Sequence, residues 1–484
     1  MAPRIAVVGI LISAVLGGLL VSFLFNSPTP ELRPTEDVLT GGECSFRNAA
    51  SNQFITEFVI PTPCSAPIGI TVDEMGIIWF SETNSSKIGN FNPKTGTFRE
   101  FLVPRGDDGK GAESWSLAFD QDGILWFTDH ENNAVWSFDV NRERFERYDI
   151  PTPGSFPVQL VIDNRGNLWI SEIYGNKIAK LDPSIARANS TSGFEEFEPP
   201  GRLDLLGGIW VAPDGRIWIA MLTYPIVGRI AVYDPVTEEF EVFDLPDGIS
   251  SPVGIAADSE GRVWISDHGT SQFVLFNTND GSFTRFSTSR GQTVFPVSLP
   301  YWNLIDKDGN MWFNVHQANT IAKFDVNKWQ LVEYEIPTRN EDWGGIANVL
   351  QFTIDQNGNI WFTEWTESKI GFLDASAKLP ISIDAPITEA IIRPGSSIEL
   401  DFTLTSEEPV IVTFETSGTF SLNGELRNVT AVFSNPSPFE FEGQSTVKLT
   451  LDADTTLLPG EYTLMVSFRS GPVTISIPIQ LTVI

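Results

Sequence analysis

The three histidines of the chain share one position in a repeated pattern. His130, His268 and His316 each stand four residues after a tryptophan. The residue one place earlier is acidic in five copies of the pattern: Glu82, Asp129, Glu172, Asp267 and Glu364. Carboxylates and imidazoles that converge can hold a divalent cation, with Mg²⁺ or Ca²⁺ as candidates, or act as acid and base. We therefore predict that these side chains surround a ligand or metal site. In the alternative, each acid forms a hydrogen bond with the backbone of its own loop or faces water.

The tryptophan belongs to a unit that occurs seven times. Successive copies are 43 to 49 residues apart, and each tryptophan follows a glycine by three residues. An aspartate precedes that glycine by three residues in every copy except the fourth, which has Ala212. A period in the forties, made of short apolar runs and turn residues, is typical of a β-propeller. The predicted site then lies at one end of the central channel.

One repeat contains four predicted strands. In the fifth copy these are 253–257, 263–266, 273–277 and 283–287, with a turn at Asp258–Gly261 between the first two. A tryptophan side chain buries about 150–250 Å². We therefore expect the repeated tryptophan to pack between neighbouring blades.

The fourth strand of a repeat usually ends in an aromatic, an acidic and a proline residue, as in Phe145–Pro151. This ending is missing after the seventh copy but stands before the first copy, as Phe54–Pro61. An N-terminal strand that completes blade seven would pair both open edges of the ring. We therefore predict a seven-bladed propeller over residues 54–375, closed by 54–61.

The repeat stops after Lys378. Residues 380–484 alternate apolar and polar residues in short runs separated by turns such as Pro394–Gly395. Their length and strand count predict an immunoglobulin-like or fibronectin-like β-sandwich. The predicted fold class is therefore all-β, apart from the N-terminus.

Residues 5–25 carry no charge and are mostly apolar. This length can span a bilayer as a helix, and Arg4 before it favours a body outside the cytoplasm. We predict a single-pass anchor in residues 1–26 and a linker over 27–53, with the propeller on the outer side of the cell membrane. A cleaved signal peptide, which would give a secreted protein, is the alternative.

Composition limits the partners. The formal net charge of −31 makes nucleic acid a poor partner and favours cations or cationic ligands. Outside the cytoplasm, Cys44 and Cys64 are candidates for one disulfide, and two free thiols are the alternative. Candidate glycosylation sites are Asn84, Asn189 and Asn428.

The repeat also resembles a known family. Its unit D-x-x-G-x-[IL]-W-[FI]-[ST]-[ED], clearest in "DQNGNIWFTEWTESKIGFLD", is similar to that of the streptogramin (virginiamycin B) lyases over Phe54–Asp374. The resemblance implies a seven-bladed propeller and a Mg²⁺-dependent elimination that opens a cyclic depsipeptide. In such a reaction a base removes a proton next to an ester carbonyl while a cation stabilises the enolate.

The resemblance also implies histidines at the start of innermost strands in late blades, and a glutamate at the end of a second strand. The matching innermost positions hold Ile68, Trp115, Val158, Gly207, Val253, Tyr301 and Leu350. Glu364 stands one place before the family's glutamate, and Trp365 fills that place. The expected catalytic side chains are therefore unmatched.

Three functions remain open. The first is a membrane-anchored extracytoplasmic propeller that binds a small molecule, a cation or a protein partner, or acts as a scaffold. The alternative is a Mg²⁺-dependent carbon–oxygen lyase of the virginiamycin B type with a rearranged site. A weaker alternative is a gluconolactonase-type hydrolase, for which Asn303 and Asn348 near the blade starts are the relevant residues.

Overall fold

A computed structural model describes residues 48–106, 109–223, 226–289, 293, 295–419 and 428–484. The predicted anchor and Cys44 lie outside these residues. Within them no helix is long and apolar enough to cross a membrane. The described helical segments are two 3₁₀ turns, Thr83–Ser85 and Glu341–Trp343.

Seven sets of four antiparallel strands form the blades. Blades one to three are β2 (Pro67–Val72), β3 (Ile78–Glu82), β4 (Lys87–Asn92) and β5 (Thr97–Leu102); β6 (Leu117–Phe119), β7 (Ile124–Asp129), β8 (Ala134–Asp139) and β9 (Arg144–Asp149); and β10 (Pro157–Ile162), β11 (Leu168–Glu172), β12 (Lys177–Leu181) and β13 (Phe194–Phe197).

Blades four to six continue this order. They are β14 (Leu205–Val211), β15 (Ile217–Leu222), β16 (Arg229–Asp234) and β17 (Glu239–Asp244); β18 (Pro252–Ala257), β19 (Arg262–Asp267), β20 (Gln272–Asn277) and β21 (Ser282–Ser287); and β22 (Pro300–Ile305), β23 (Met311–Val315), β24 (Thr320–Asp325) and β25 (Gln330–Glu335).

Blade seven joins the two ends of the propeller. Its first three strands are β26 (Val349–Ile354), β27 (Ile360–Glu364) and β28 (Lys369–Leu373), and its outer strand is β1 (Ile55–Val59). β1 runs antiparallel to β28, with Ile55 opposite Leu373. Each innermost strand contacts the next one around the circle, and β26 contacts β2. The N-terminal strand thus completes the last blade, which is the arrangement that the sequence predicts.

The repeated turn and tryptophan form one local structure. In blade one, Asp73 Oδ1 accepts the backbone N–H groups of Met75 and Ile77, and Gly76 adopts a φ of +79°, which favours glycine. Asp73 Oδ2 accepts the indole N–H of Trp79 at 2.9 Å. Trp79 then packs with Leu125 of blade two. The other six tryptophans likewise belong to apolar clusters that include residues of the following blade.

The C-terminal region is a second β structure. Its strands are β29 (Ser382–Asp384), β30 (Glu389–Ile392), β31 (Ser397–Thr419), β32 (Val429–Phe433), β33 (Phe439–Ala453), β34 (Gly460–Ser470) and β35 (Val473–Val483). The sequence pattern predicts two strands where β31 is continuous: its first part pairs with β33, and its last part, from Thr413, pairs with β34. One apolar cluster includes residues from both sets of strands.

This region is joined directly to blade six. β35 pairs antiparallel with β25, with Leu331 opposite Ser476 and Tyr334 opposite Val473. Six blades are therefore separate four-stranded sheets, whereas the sheet of blade six continues into the C-terminal region. The outer strand of blade six is not a free edge, which repeat analysis alone does not predict.

Candidate functional site

One end of the channel is covered by an apolar cluster, here named the mouth cluster. Its buried members are Ile68, Trp115, Leu222, Val253, Tyr301 and Leu350, and the partly buried Val158, Leu205, Trp302 and Trp365 pack against them. Residues from all seven blades meet here because the innermost strands begin at this end of the ring. The seventh innermost position is Gly207, where a Cβ atom would stand 2.7 Å from a methyl carbon of Leu222. The glycine thus gives Leu222 room to join the cluster.

The three histidines lie at the border of the mouth cluster. The imidazole of His130 packs against Trp115 and Phe156, with ring centroids 6.3 and 4.3 Å away, and its Nε2 atom lies 3.0 Å from Glu113 Oε2. His268 and His316 are on the side of Tyr301, whose ring centroid is 5.0 Å from that of His268 and 6.3 Å from that of His316. The shared repeat position therefore does bring all three imidazoles to one end of the channel.

His268 and His316 contact each other directly. His268 Nε2 lies 3.3 Å from His316 Nδ1, and His316 Nε2 lies 2.6 Å from Asn348 Oδ1. Both rings are buried, and burial lowers the pKa of His316 to about 4 and that of His268 well below its usual value, with the neighbouring His316 as a further cause for His268. Both imidazoles are therefore neutral at neutral pH.

The acidic residues point elsewhere. Glu82, Glu172 and Glu364 are buried beside a lysine at the start of the third strand of their own blade, opposite them in the sheet. The reason is strand geometry, because neighbouring residues of a strand face opposite sides of the sheet. The histidine position thus faces the mouth cluster, and the acid before it faces the inside of the blade.

These three acids adjoin a repeated arrangement that we name the inter-blade latch. In each latch a threonine after the outer strand of one blade binds a glutamate in the outer strand of the next, and a lysine binds both. The three latches are Thr62, Lys87 and Glu100; Thr152, Lys177 and Glu196; and Thr338, Lys369 and Glu57. In the third latch, Thr338 Oγ1 donates to Glu57 Oε2 at 2.6 Å, and Lys369 Nζ lies 2.9 Å from the same oxygen.

The latches change the chemistry of the neighbouring acids. Burial, followed by the repulsion of Glu196, raises the pKa of Glu172 to about 8. Burial and Glu100 raise the pKa of Glu82 to about 7, and burial and Glu57 raise the pKa of Glu364 well above its usual value. No oxygen of Glu172 or Glu364 has a hydrogen-bond partner of good geometry among the described residues. Glu172 is therefore mostly protonated and Glu82 half protonated at neutral pH, and the raised pKa of all three acids makes them poor cation ligands.

The two aspartates are satisfied within their own blades. Asp129 Oδ2 accepts the side-chain N–H groups of Asn132 and Trp136, at 2.8 and 2.9 Å. Asp267 accepts the backbone N–H of Ser251 and the hydroxyl of Thr270, at 2.8 and 2.7 Å. Burial raises the pKa of both carboxyls, to about 6 for Asp267. The structure thus places five acids inside the blades and three histidines at the mouth cluster.

These positions do not suit Mg²⁺, which prefers oxygen ligands in octahedral geometry. The innermost positions that the resemblance equates with catalytic histidines are apolar or aromatic or, at Gly207, lack a side chain, and Trp365 occupies the place of the metal-assisting glutamate. Within the described ranges, no three His, Cys, Asp or Glu side chains are grouped to hold a metal ion. The described residues at this end of the channel therefore do not provide the oxygen ligands that a Mg²⁺-dependent reaction requires.

The asparagines considered for a hydrolase have structural partners. Asn303 Nδ2 donates to the backbone oxygen of Trp264 at 3.1 Å, and Asn348 Oδ1 is the partner of His316. Cys64 is in disulfide form, and its predicted partner Cys44 lies outside the described residues. The side chains of Asn84, Asn189 and Asn428 are exposed, and glycosylation at these sites stays a prediction.

Comparison with known proteins agrees with this architecture. The family model for the virginiamycin B lyase family matches residues 48–186 and 183–351. The chain belongs to this family. Its region of similarity is the propeller, and no curated protein sequence matches the chain.

Solved structures of the family share the fold. The selenomethionine-substituted virginiamycin B lyase from Staphylococcus aureus is 22% identical, covers 66% of this chain and 98% of its own, and has a TM-score of 0.55. A streptogramin B lyase structure is 24% identical over 66% of this chain and 97% of its own, with the same TM-score of 0.55. A catalytically inactive variant of the Staphylococcus aureus enzyme, with quinupristin, is 23% identical, covers 66% of this chain and 98% of its own, and also has a TM-score of 0.55. At this identity the likeness establishes the fold and leaves the activity of this chain open.

Sequence reasoning missed several residues of the site. In the sequence, Tyr301, Trp115 and Leu350 stand where the resemblance implies histidines, and the seven apolar or small residues at equivalent positions indicate a cluster. The contact of Asn348 with His316 joins blades six and seven and has no signal in a single repeat.

Proposed function

We propose that the chain is a membrane-anchored, extracytoplasmic member of the virginiamycin B lyase family that binds a ligand at the mouth cluster without the family's elimination reaction. The observation that supports this proposal most strongly is the composition of the mouth cluster. A floor built from Trp115, Tyr301 and Leu350 supplies apolar contact but neither a base nor a cation ligand. Apolar and aromatic side chains with a few polar groups among them are the usual lining of small-molecule sites.

The polar groups around this floor support the same proposal. The indole Nε1 atoms of Trp115 and Trp302 and the Nδ1 atom of His268 are buried and have no hydrogen-bond partner among the described residues. Buried polar groups are normally paired with protein, water or ligand. At the rim, Trp343 is 48% exposed and packs at 6.1 Å from Trp365. The expected ligand is a neutral or cationic small molecule with apolar surface and hydrogen-bonding atoms, since the chain carries a charge of −31.

Binding can be tested with a neutral solvatochromic dye such as Nile red. We expect saturable binding to the folded full chain, weakened at least several-fold by Trp365→Ala, because this removes an aromatic side chain that packs against the mouth cluster. Trp329→Ala is the matched control, since Trp329 packs with Phe286 and Phe324 at the outside of blade six. Equal affinity of all three proteins would contradict binding at the mouth cluster.

The cellular placement is part of the proposal. The uncharged segment 5–25, the disulfide form of Cys64 and the exposed sequons support an anchored protein that faces outward. We expect the purified native protein to retain its first 25 residues on N-terminal sequencing. A start at or after Asn26 would make the segment a removed signal and the protein secreted.

We also propose that the C-terminal region is an immunoglobulin-like or fibronectin-like β-sandwich. The two sets of strands joined by β31 share a core that includes Phe402, Val447 and Phe468. Its proposed role is to hold the propeller at a fixed orientation or to provide a scaffold surface.

The second candidate function is a lyase with a rearranged site. The observation in its favour is the pair of neutral imidazoles, His268 and His316, beside Tyr301 at the mouth cluster. A neutral imidazole can accept a proton from a substrate. Turnover that is lost in His268→Gln would support this candidate over simple binding.

A further inference from the structure

We propose that His268 and His316 bind one transition-metal ion of the zinc type between His268 Nε2 and His316 Nδ1. This site differs from the predicted Mg²⁺ or Ca²⁺ ring, because its ligands are two imidazoles and none of the five acids. It does not require the proposed ligand binding, whose main support is the apolar floor.

The spacing of the two nitrogens fits a shared metal. They are 3.3 Å apart. A tetrahedral zinc ion holds each histidine nitrogen at about 2.0–2.1 Å, which places two such nitrogens about 3.3 Å from each other. A hydrogen bond between the rings can have the same length, so the arrangement of the outer nitrogens has to be considered as well.

The outer nitrogen of His316 is held in the manner usual for metal-ligating histidines. Asn348 Oδ1 lies 2.6 Å from His316 Nε2 and accepts a hydrogen bond from its N–H. This contact leaves a lone pair on His316 Nδ1, the atom that faces His268. Metal-binding histidines characteristically donate their second N–H to an oxygen, which fixes the tautomer and the ring orientation.

The pair is also held in place by the backbone. The N–H of His268 donates to Ser251 O at 2.8 Å, and that of His316 donates to Leu299 O at 3.0 Å. Both side chains are buried, which limits the orientations that the two rings can adopt.

The donor set selects the kind of metal. Imidazole nitrogen suits Zn²⁺, Cu²⁺, Ni²⁺ and Co²⁺, whereas Mg²⁺ and Ca²⁺ prefer oxygen. The nearest acid in sequence, Asp267, is engaged by Ser251 and Thr270 on the other side of the strand. Two protein ligands leave positions for water or for an atom of the ligand at the mouth cluster.

The test uses the full, untagged chain after treatment with a chelator. Co²⁺ is the spectroscopic probe, because nitrogen-bound tetrahedral Co²⁺ absorbs visible light, and Zn²⁺ is used as competitor. We expect one equivalent of Co²⁺ to bind the wild type and to be displaced by Zn²⁺. His268→Gln and His316→Gln should each weaken binding at least 10-fold, and Asn348→Ala should weaken it about 10–100-fold through loss of orientation.

His130→Gln is the matched control, since it removes the chain's remaining imidazole, which is adjacent to Glu113. It should bind Co²⁺ like the wild type. The melting temperature in chelator shows whether each variant is folded, and folded variants alone are compared. Wild-type affinity in both folded pair variants, or a loss in His130→Gln alone, would overturn the proposal. Absence of any Co²⁺ spectrum in the wild type would assign the pair to a hydrogen bond and leave the dye-binding result unaffected.

Discussion

At the scale of single residues, the most informative group is the carboxyl of Glu172. Its pKa of about 8 results first from burial and then from Glu196 in the adjacent latch. In the unfolded chain the same carboxyl has an ordinary pKa of 4.5. The folded state therefore holds one more proton between these two values. The contribution of this carboxyl to the free energy of unfolding is fully present below about pH 4.5. It decreases as the pH rises toward about 8, by up to about 1.4 kcal/mol per pH unit.

Replacement of Glu172 by glutamine should remove this dependence. We expect the free energy of unfolding of Glu172→Gln to exceed that of the wild type at pH 8, with a smaller difference at pH 5. Glu195→Gln is the control, because this neighbouring side chain is 63% exposed. Denaturant unfolding at the two pH values measures the effect. A difference that does not change with pH would mean that Glu172 is ionised in the folded protein.

The residue scale also shows how far the sequence predicts the site. The three histidines of the shared repeat position pack on the mouth cluster, His130 against Trp115 and the other two against Tyr301. The same reasoning predicts the acids one place earlier beside them, whereas these lie inside the blades. Adjacent residues of a strand face opposite sides, so Asp129 binds Trp136 inside its blade while His130 packs on Trp115. The repeat period predicts where along its strand a residue lies. The alternation of side chains along the strand decides which side of the sheet that residue faces.

At the scale of elements, the inter-blade latch follows the proline ending of three outer strands. The proline is followed by the threonine of the latch in Pro61–Thr62, Pro151–Thr152 and Pro337–Thr338. This threonine binds the outer strand of the next blade through both its backbone N–H and its hydroxyl. The third latch joins blade six to β1 and so helps to hold the closing strand.

Loss of one hydroxyl should therefore weaken the closure. Thr338→Val leaves Glu57 and Lys369 buried with one partner fewer each. We expect a loss of about 1–3 kcal/mol in the free energy of unfolding, the usual cost of an unpaired buried polar group. Thr97→Val, at an exposed position of β5, is the control and should change stability little. Equal denaturation midpoints would show that the latch does not stabilise the ring.

The strands themselves were predictable because their signal is local. In blade five the predicted strands 253–257 and 273–277 differ by one residue at their starts from Pro252–Ala257 and Gln272–Asn277. The pairing of β25 with β35 was not predictable. This pairing joins segments more than 130 residues apart, and the repeat pattern contains no signal for it.

At the scale of the whole molecule, the C-terminal region and blade six of the propeller share one continuous sheet. Met465 packs in the same apolar cluster as Phe313 and Leu331 of blade six. Arg469 forms an ion pair with Glu335, at the end of β25. The C-terminal region therefore covers blade six, and its apolar side chains form one cluster with residues of blades six and seven.

Removal of residues 380–484 should expose the outer edge of blade six. We expect the amides of Gln330–Glu335 to exchange hydrogen faster and the truncated chain to self-associate, because unpaired edge strands template pairing with other chains. The outer strand of blade four, Glu239–Asp244, has no such cover and serves as the internal reference. Unchanged exchange in Gln330–Glu335 would contradict the role of β35.

Under the proposed function, the mouth cluster replaces the family's catalytic positions, so that the chain binds a ligand without the elimination reaction. The most direct measurement incubates the full chain with a streptogramin B depsipeptide and Mg²⁺, with an active virginiamycin B lyase as positive control. Chromatography follows the opened product, because elimination opens the ring without changing its mass. We predict no ring opening above the rate without protein. Mg²⁺-dependent ring opening by the wild type, lost in a folded His268→Gln variant, would contradict the claim and establish a rearranged lyase site.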